Sequence, residues 1–244
     1  MAPTPRILAT SGGFLTAPDG TMRPGALFAE ALRLTGVERP KVCLLMTASG
    51  DHREYLLKTY AALSGWSVDV SHLELFWMPN AVPSERIAAS DLIWVGGGSV
   101  ANLLALWRVH GIDEALAEAW QSGTVLAGTS AGSICWHVGG PTDSFGPELK
   151  PVLNALAWLP YGNGVHYDSE AQRRPAVHRL VGEGVLPTTY ATDDGIGILY
   201  EGTGPVAVLA DSEEIAAGGS AAYRIDRVSG QPVETRLPVG PLKA

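Results

Sequence analysis

Ser130 stands among small residues in the segment 124–136, which reads TVLAGTSAGSICW. Within it, Gly128, Ser130 and Gly132 form the pattern Gly-x-Ser-x-Gly, in which the central serine occupies a strained turn between a strand and a helix. The outer positions are glycine because a Cβ there would collide with the neighbouring strand or helix. The pattern makes Ser130 the candidate nucleophile. The alternative is a tight turn whose serine takes no part in chemistry.

A serine nucleophile needs a general base, and the base needs an acid that orients it. Of the six histidines, His166 follows the glycine-rich run YGNGV at the end of a predicted strand, which favours it as the base. Three aspartates are candidates for the acid: Asp143 in the loop PTDSFG, and the adjacent pair Asp193 and Asp194 in YATDDGIGI. Adjacent carboxylates in an extended segment point to opposite sides, so one of that pair can face a histidine.

A second loop offers backbone amides rather than side chains. Gly96, Gly97 and Gly98 end the predicted strand DLIWV and let the backbone approach a ligand closely, which indicates an oxyanion-hole wall or an anion nest. A tight turn is again the alternative. The loop is not a P-loop, because no Gly-Lys-Ser/Thr follows, and Ala101 stands where a dinucleotide fingerprint needs glycine. The amide of Ala131 would face the start of a helix, where an anion is favoured.

The composition limits the class of protein. The 244 residues, 46% of them hydrophobic with a mean hydropathy of +0.11, predict one domain over residues 1–244 with a sizeable core. The formal net charge of −8 argues against a nucleic-acid or anionic-membrane partner. Cys43 and Cys135 lie in apolar settings and indicate buried free thiols, and we expect a cytoplasmic protein. No metal site or cofactor is predicted, and a homodimer is left open.

The elements that must position these residues follow from the pattern of the chain. Strand and helix signals alternate up to about Ser133, which predicts an α/β fold with a mainly parallel sheet and helices on both faces. After Asp143 a helix is predicted over EAQRRPAVHRLVGEG, and residues 188–227 indicate antiparallel strands. Ligands of open α/β sheets gather at the carboxyl ends of the strands. Ser130 and the glycine loop are predicted to lie at that edge.

The runs IWVGGGSVANLLALWR, GTSAGS, HYD and DDGIGI together resemble the S51 serine peptidase family, which contains aspartyl dipeptidase (peptidase E) and cyanophycinase. The similarity extends over residues 6–209. It implies a class I glutamine amidotransferase-type α/β sandwich with its nucleophile on a strand–helix elbow. It further implies the following roles: Ser130 as nucleophile, His166 as base, Asp194 as orienting acid, and the amides of Gly98 and Ala131 as oxyanion donors.

Three positions depart from the family's usual pattern. Asp194 stands where the family usually has glutamate, Thr129 where tryptophan usually precedes the serine, and Tyr167 where phenylalanine usually follows the histidine. Selectivity for an N-terminal aspartate needs a cation or several donors, for which Arg173 and Arg174 are candidates. Because Thr129 and Tyr167 are expected to border the substrate pocket, we predict a serine-type peptidase of short peptides that cleaves Asp-X dipeptides weakly.

Three other functions stay open at this point. A cyanophycinase-like hydrolase of an aspartyl–arginyl polymer would share the GTSAG run. An α/β-hydrolase esterase would use the order Ser130, Asp143, His166, although the chain after Ser130 lacks the further β–α repeats expected of that fold. A non-catalytic binding module would keep the fold without hydrolysis. Labelling of a reactive serine, combined with a peptide-hydrolysis screen, separates these functions.

Overall fold

A computed structural model describes residues 4–242 of the chain. Strands and helices alternate through its first half, as the sequence predicts, and strands dominate the second half. The strands are β1 (Arg6–Thr10), β2 (Phe14–Thr16), β3 (Met22–Pro24), β4 (Lys41–Leu45), β5 (Asp69–His72), β6 (Leu92–Val95), β7 (Val125–Thr129), β8 (Gly140–Thr142), β9 (Lys150–Val152), β10 (Gly162–Gly164), β11 (Thr189–Thr192), β12 (Ile196–Glu201), β13 (Gly204–Ala210), β14 (Ala222–Val228), β15 (Gln231–Leu237) and β16 (Gly240–Pro241). The α-helices are α1 (Ala26–Leu34), α2 (Arg53–Leu63), α3 (Pro83–Ala88), α4 (Val100–His110), α5 (Ile112–Gln121), α6 (Ala131–Ile134), α7 (Arg173–Gly182) and α8 (Glu213–Ala217).

The main sheet has eight strands in the order β16-β13-β12-β1-β7-β6-β4-β5. The neighbouring strands β1, β7, β6, β4 and β5 pair in parallel, which confirms the predicted parallel core of the sheet. On the other side of β1 the strands β12, β13 and β16 pair antiparallel, so the sheet as a whole is mixed. The carboxyl ends of β1, β4, β6 and β7 therefore meet at one edge.

Helices cover both faces of this sheet, as predicted. On one face, residues of α4 and α5 pack with alternate residues of the central strands, including Leu45, Ile93 and Leu126. On the other face, residues of α1 and α2 pack with the intervening positions, such as Leu44 and Trp94. Because side chains alternate along a strand, central strands buried on both faces read as continuous apolar runs.

The second half of the chain adds a four-stranded sheet in the order β10-β11-β14-β15. Its β11–β14 and β14–β15 pairs are antiparallel, as expected from the sequence, but β10 and β11 pair in parallel. Helix α7 forms where a helix was predicted, with Pro175 in its first turn, where proline removes no helical hydrogen bond. The short helices α3 and α8 were not predicted, since neither is long enough to show a periodic pattern.

Cys43 and Cys135 are buried free thiols, as predicted, and burial raises the pKa of Cys43 to about 12. Thiols held in this state are poor nucleophiles. Over the described residues, every helix is too short or too polar to cross a membrane.

Candidate functional site

Ser130 lies between β7 and α6 in a conformation that non-glycine residues rarely adopt, with φ of 57° and ψ of −113°. Its carbonyl oxygen accepts hydrogen bonds from Ser133 and Ile134, which start the helix. A Cβ at Gly128 would overlap the carbonyl of Gly132, and a Cβ at Gly132 would overlap the carbonyl of Val95. The two flanking glycines are therefore required by close backbone approach, as the pattern predicts.

His166 and Asp194 are in direct contact. The ring nitrogen Nδ1 of His166 lies 2.6 Å from Oδ1 of Asp194 and donates its hydrogen to that carboxylate. This bond leaves Nε2 without a proton in the neutral ring, so that Nε2 can accept one. His166 follows β10 with a positive φ of 52°, and its side chain is 25% exposed. The imidazole is thus oriented and reachable from solvent.

The end of β1 holds these segments together. Thr10 accepts a hydrogen bond from the Ser130 amide at its carbonyl (3.0 Å), and the next residue, Ser11, accepts one from the His166 amide at Oγ (3.1 Å). The Ser11 carbonyl also accepts from the amide of Gly195, beside Asp194, at 2.9 Å. Ser11 was not singled out in the sequence, because its partner His166 is 155 residues away.

Asp193 and Asp194 point in different directions, as expected for adjacent carboxylates. Asp193 is buried and accepts hydrogen bonds at Oδ2 from the amide of Ala221 (2.9 Å) and the hydroxyl of Tyr223 (3.2 Å). Burial, joined by the charge of Asp168, raises the pKa of Asp193. Asp194 is half exposed, and its amide donates to Asp168 Oδ1 at 2.9 Å.

Asp143 is not brought to His166. Its carboxylate has no hydrogen-bond or ion-pair partner among the described residues, and the Nδ1 position of His166 is already taken by Asp194. The esterase-type order Ser130, Asp143, His166 therefore has no support in the geometry of these side chains.

Two cavities meet at this edge. The first, which we name the Ser130 cavity, has a volume of about 410 Å³ and contains Ser130, Gly98 and Asp143 in its lining. The second, the His166 cavity, has a volume of about 530 Å³ and contains His166 and Thr129 in its lining. Within residues 4–242, no hydrogen bond joins Ser130 Oγ to the His166 ring. The hydrogen bonds to Thr10 and Ser11 nevertheless hold the backbones of both residues at the carboxyl end of β1.

Some backbone amides near Ser130 are unused, and of their residues Gly98 lines the Ser130 cavity. Among the described residues, no acceptor is found for the amide N–H groups of Gly97, Gly98 and Ala131. Gly98 has a φ of +133°, and a Cβ there would overlap the carbonyl of Ala48, so its backbone conformation depends on glycine. An oxyanion needs such pre-positioned donors. The turn at Gly98 would hold the amide of Gly98 rigidly.

Gly97 offers a test of this loop that leaves the backbone unstrained. A Cβ at Gly97 would lie 3.2 Å from the Cβ of Ser130. We expect Gly97→Ala to lower kcat/KM measurably but by less than about 100-fold, because a displacement of about 1 Å at the reacting atoms has that effect and this contact displaces Ser130 by less. Gly65→Ala, whose Cβ meets nothing within 4 Å, is the matched control in the same kinetic assay and should be unchanged. Full activity in Gly97→Ala would exclude the loop from the reaction.

The structure corrects the expected role of Tyr167. Its side chain is only 2% exposed and does not line either cavity. Its hydroxyl donates to Glu234 Oε2 at 2.7 Å, and burial together with this bond raises the pKa of Tyr167. Although burial alone would raise the pKa of Glu234, hydrogen bonds from His178 and Tyr167 lower it. Tyr167 therefore lies in the protein interior beside His166 and, contrary to the expectation, borders neither cavity.

The two candidate arginines are also engaged by the protein. Arg174 lies against the rings of both Tyr167 and Tyr223, 4.6 and 4.7 Å from their centroids, and pairs with Glu234 at 3.1 Å. The side chain of Arg173 is 3% exposed. Its guanidinium donates to Glu170 at 2.6 Å and to the carbonyl of Pro141 at 2.7 Å. Arg174 lines neither cavity, and Arg173 reaches the Ser130 cavity already paired.

His137 lies behind the turn at Ser130 and is completely buried. Its Nδ1 donates to the carbonyl of Ser133 at 2.9 Å, and its Nε2 accepts from the hydroxyl of Tyr200 at 3.4 Å. Burial lowers the pKa of His137 to about 4. The imidazole is therefore neutral in the folded protein near neutral pH.

We predict that the free energy of unfolding depends on pH, because His137 is buried as the neutral form. In the unfolded chain it takes up a proton below about pH 6.5, whereas in the folded chain it does so only near pH 4. The contribution of neutral His137 to the free energy of unfolding is complete above about pH 6.5. As the pH falls to about 4, on the order of 3 kcal/mol of that free energy is lost. Denaturant unfolding at several pH values should show this loss in the wild type but not in His137→Gln. If the free energies of unfolding of the wild type and His137→Gln changed equally with pH, this prediction would be contradicted.

Comparisons with known proteins agree on one family. The sequence profile of peptidase family S51 matches residues 8–207. The uncharacterized peptidase YgaJ of Bacillus subtilis is 37% identical over 228 residues, covering 93% of this chain and 94% of that protein. A peptidase E of Shewanella denitrificans is 29% identical over 122 residues, half of each chain. The crystal structure of a peptidase from an acI-B1 Actinobacterium shares the fold, with a TM-score of 0.72 at 14% identity over 99% of this chain and 97% of that one.

Proposed function

This chain belongs to peptidase family S51 and is a serine-type peptidase of the peptidase E type, and from that premise we propose that Ser130, His166 and Asp194 carry out its hydrolytic step. Ser130 acts from a nucleophile elbow, as expected of a class I glutamine amidotransferase-type sandwich. The observation that carries the proposal is the 2.6 Å contact between His166 Nδ1 and Asp194, made by a histidine whose backbone is bonded, like that of the strained Ser130, to the end of β1.

The proposed reaction begins when Ser130 Oγ attacks the carbonyl carbon of the scissile bond. Nε2 of His166 accepts the hydroxyl proton and then gives it to the leaving amine, while Asp194 keeps the hydrogen on Nδ1 and stabilises the imidazolium. The amides of Gly98 and Ala131 bind the developing oxyanion. Water then attacks the acyl–serine, with His166 again acting as base. Substrate binding is expected to bring Ser130 and His166 into hydrogen-bond range, because such bonds often tighten only in the complex.

We expect weak cleavage of Asp-X dipeptides. The side-chain carboxylate of an N-terminal aspartate needs an unpaired cation, and both arginines near the site already have partners, Arg173 with Glu170 and Arg174 with Glu234. Asp143, in the Ser130 cavity, would repel such a carboxylate. Steady-state kinetics should give a kcat/KM for Asp-Leu well below about 10⁴ M⁻¹s⁻¹, which good enzymes exceed. A higher value would require a cationic subsite that the described side chains do not offer.

The proposed function is tested by a library of dipeptides and tripeptides together with a fluorophosphonate that acylates reactive serines. We expect hydrolysis of at least one peptide class, and we expect the reagent to abolish it. Reaction with the reagent without turnover of any peptide would indicate a serine hydrolase of another substrate. Failure to react, together with no hydrolysis, would favour a binding module on the same fold.

A further inference from the structure

The His166 cavity lies on the side of the site where the leaving group must be. If His166 delivers the proton to the leaving amine, as the proposed function holds, that amine is within hydrogen-bond reach of the ring, so the residue it carries extends into this cavity. The acyl part then occupies the Ser130 cavity, beside the oxyanion amides. The composition of the His166 cavity therefore bears on which leaving groups are accepted.

The lining of this cavity combines apolar and acidic side chains. Of the described residues that line it, none is lysine or arginine. The apolar part of the lining, which we name the apolar wall, consists of Phe14, Leu15, Met22, Tyr55 and Ile215. The acids in the lining are Asp168, Asp194 and Asp211.

The three acids are not equivalent. Asp211 is buried, and its two oxygens accept hydrogen bonds from the amides of Gly13 and Leu27. Asp194 is bonded to His166 and becomes its ion-pair partner during the reaction. Asp168 is exposed; its Oδ1 accepts from the Asp194 amide, and its Oδ2 has no partner among the described residues. Among the described acids of this lining, Asp168 is thus the one whose carboxylate is neither buried nor paired with an opposite charge.

We infer that Asp168 is a specificity-determining residue, which makes this peptidase favour a cationic side chain on the leaving-group residue and disfavour a free carboxylate there. The inference rests on the proposed function, which fixes the side on which the leaving group sits. A lysine or arginine has an aliphatic stem for the apolar wall and a charge for Asp168. A dipeptide places its own C-terminal carboxylate in this cavity, where it meets a like charge.

The test compares leaving groups that share one acyl residue, chosen as the best in the peptide library. The substrates are Xaa-Lys-amide, Xaa-Glu-amide, Xaa-Leu-amide and Xaa-Leu with a free carboxylate. We expect kcat/KM to be about tenfold higher for the lysine than for the glutamate amide, because an attraction is replaced by a repulsion, and about fivefold higher for the leucine amide than for the free acid, as one exposed charge allows. Added salt should reduce both ratios.

Asp168→Asn keeps an oxygen that can accept from the Asp194 amide but removes the charge, so we expect both ratios to fall to within about twofold. The ratio is informative because any change in the catalytic step affects both substrates alike. Asp168→Glu should restore the ratios. Glu114→Gln, an exposed position on α5 outside both cavity linings, alters the net charge equally and should leave the ratios unchanged.

The possible outcomes distinguish the role of Asp168 from the proposed function. Peptide hydrolysis with no preference among the four leaving groups, or with preferences that survive in Asp168→Asn, would overturn the role of Asp168 and leave the proposed function standing. A wild-type protein that neither hydrolyses any peptide nor reacts with a fluorophosphonate would overturn both.

Discussion

Replacing Asp194 by asparagine is expected to lower kcat by roughly 10⁴-fold with little change in KM or in the free energy of unfolding. Asp194 accepts the Nδ1 hydrogen of His166 at 2.6 Å. An asparagine amide in its place can donate to Nδ1, which favours the tautomer with hydrogen on Nε2 and leaves no base for Ser130. The imidazolium formed in the reaction would also lose its counter-charge. Steady-state kinetics on the best library peptide measures the effect.

Asp193→Asn is the matched control, since it makes the same chemical change one residue earlier. Asp193 is turned away to Ala221 and Tyr223, and burial raises its pKa. We expect a loss of activity well below that of Asp194→Asn, accompanied by some loss of stability from the altered buried hydrogen bonds. If Asp194→Asn were nearly as active as the wild type while Asp143→Asn was inactive, the acid would have been assigned to the wrong residue.

Replacing Ser130 by alanine is expected to abolish hydrolysis, with a fall in kcat of at least about 10⁴-fold. The fold should be retained, because alanine fits the space of serine and loses only a hydroxyl that has no described partner. A second variant separates chemistry from folding. Ser130→Gly should also be inactive, but its free energy of unfolding should exceed that of Ser130→Ala by about 1 kcal/mol, because glycine relieves the strain at φ 57° and ψ −113°. Thermal unfolding and kinetics measure both properties.

Two results would contradict this account of Ser130. Full activity of Ser130→Ala on a peptide that the wild type cleaves would show that another group is the nucleophile. A Ser130→Gly variant that is less stable than Ser130→Ala would show that the backbone turn is not strained in the way its dihedral angles indicate.

Much of the fold follows from local patterns in the sequence. The continuous apolar strands and the amphipathic helices between them predict a parallel sheet covered on both faces, and the structure has this arrangement around β1, β7, β6, β4 and β5. The requirement for glycine at positions 128 and 132 was also predictable, because the spacing of Gly-x-Ser-x-Gly already implies close backbone approach. These features depend on residues near one another in the chain.

The arrangement around the histidine depends on distant residues and was only partly predictable. Nothing local to Ser11 indicates that its hydroxyl accepts from the amide of His166. Arg174 reads as a helix-surface residue until strands β14 and β15 bring Tyr223 and Glu234 to it. Tyr167 was expected at the substrate because it follows His166, but it points to Glu234 instead. Pairing across the sheet sets these contacts, and residue periodicity does not encode it.

The most direct test of the account is the site at which a fluorophosphonate attaches. Peptide mapping by mass spectrometry of the labelled wild type should place a single adduct on Ser130, and labelling should be lost in Ser130→Ala and strongly slowed in His166→Ala, because the serine is activated by that base. An adduct on another residue, or an unchanged labelling rate in His166→Ala, would contradict the assignment of Ser130 and His166 as nucleophile and base.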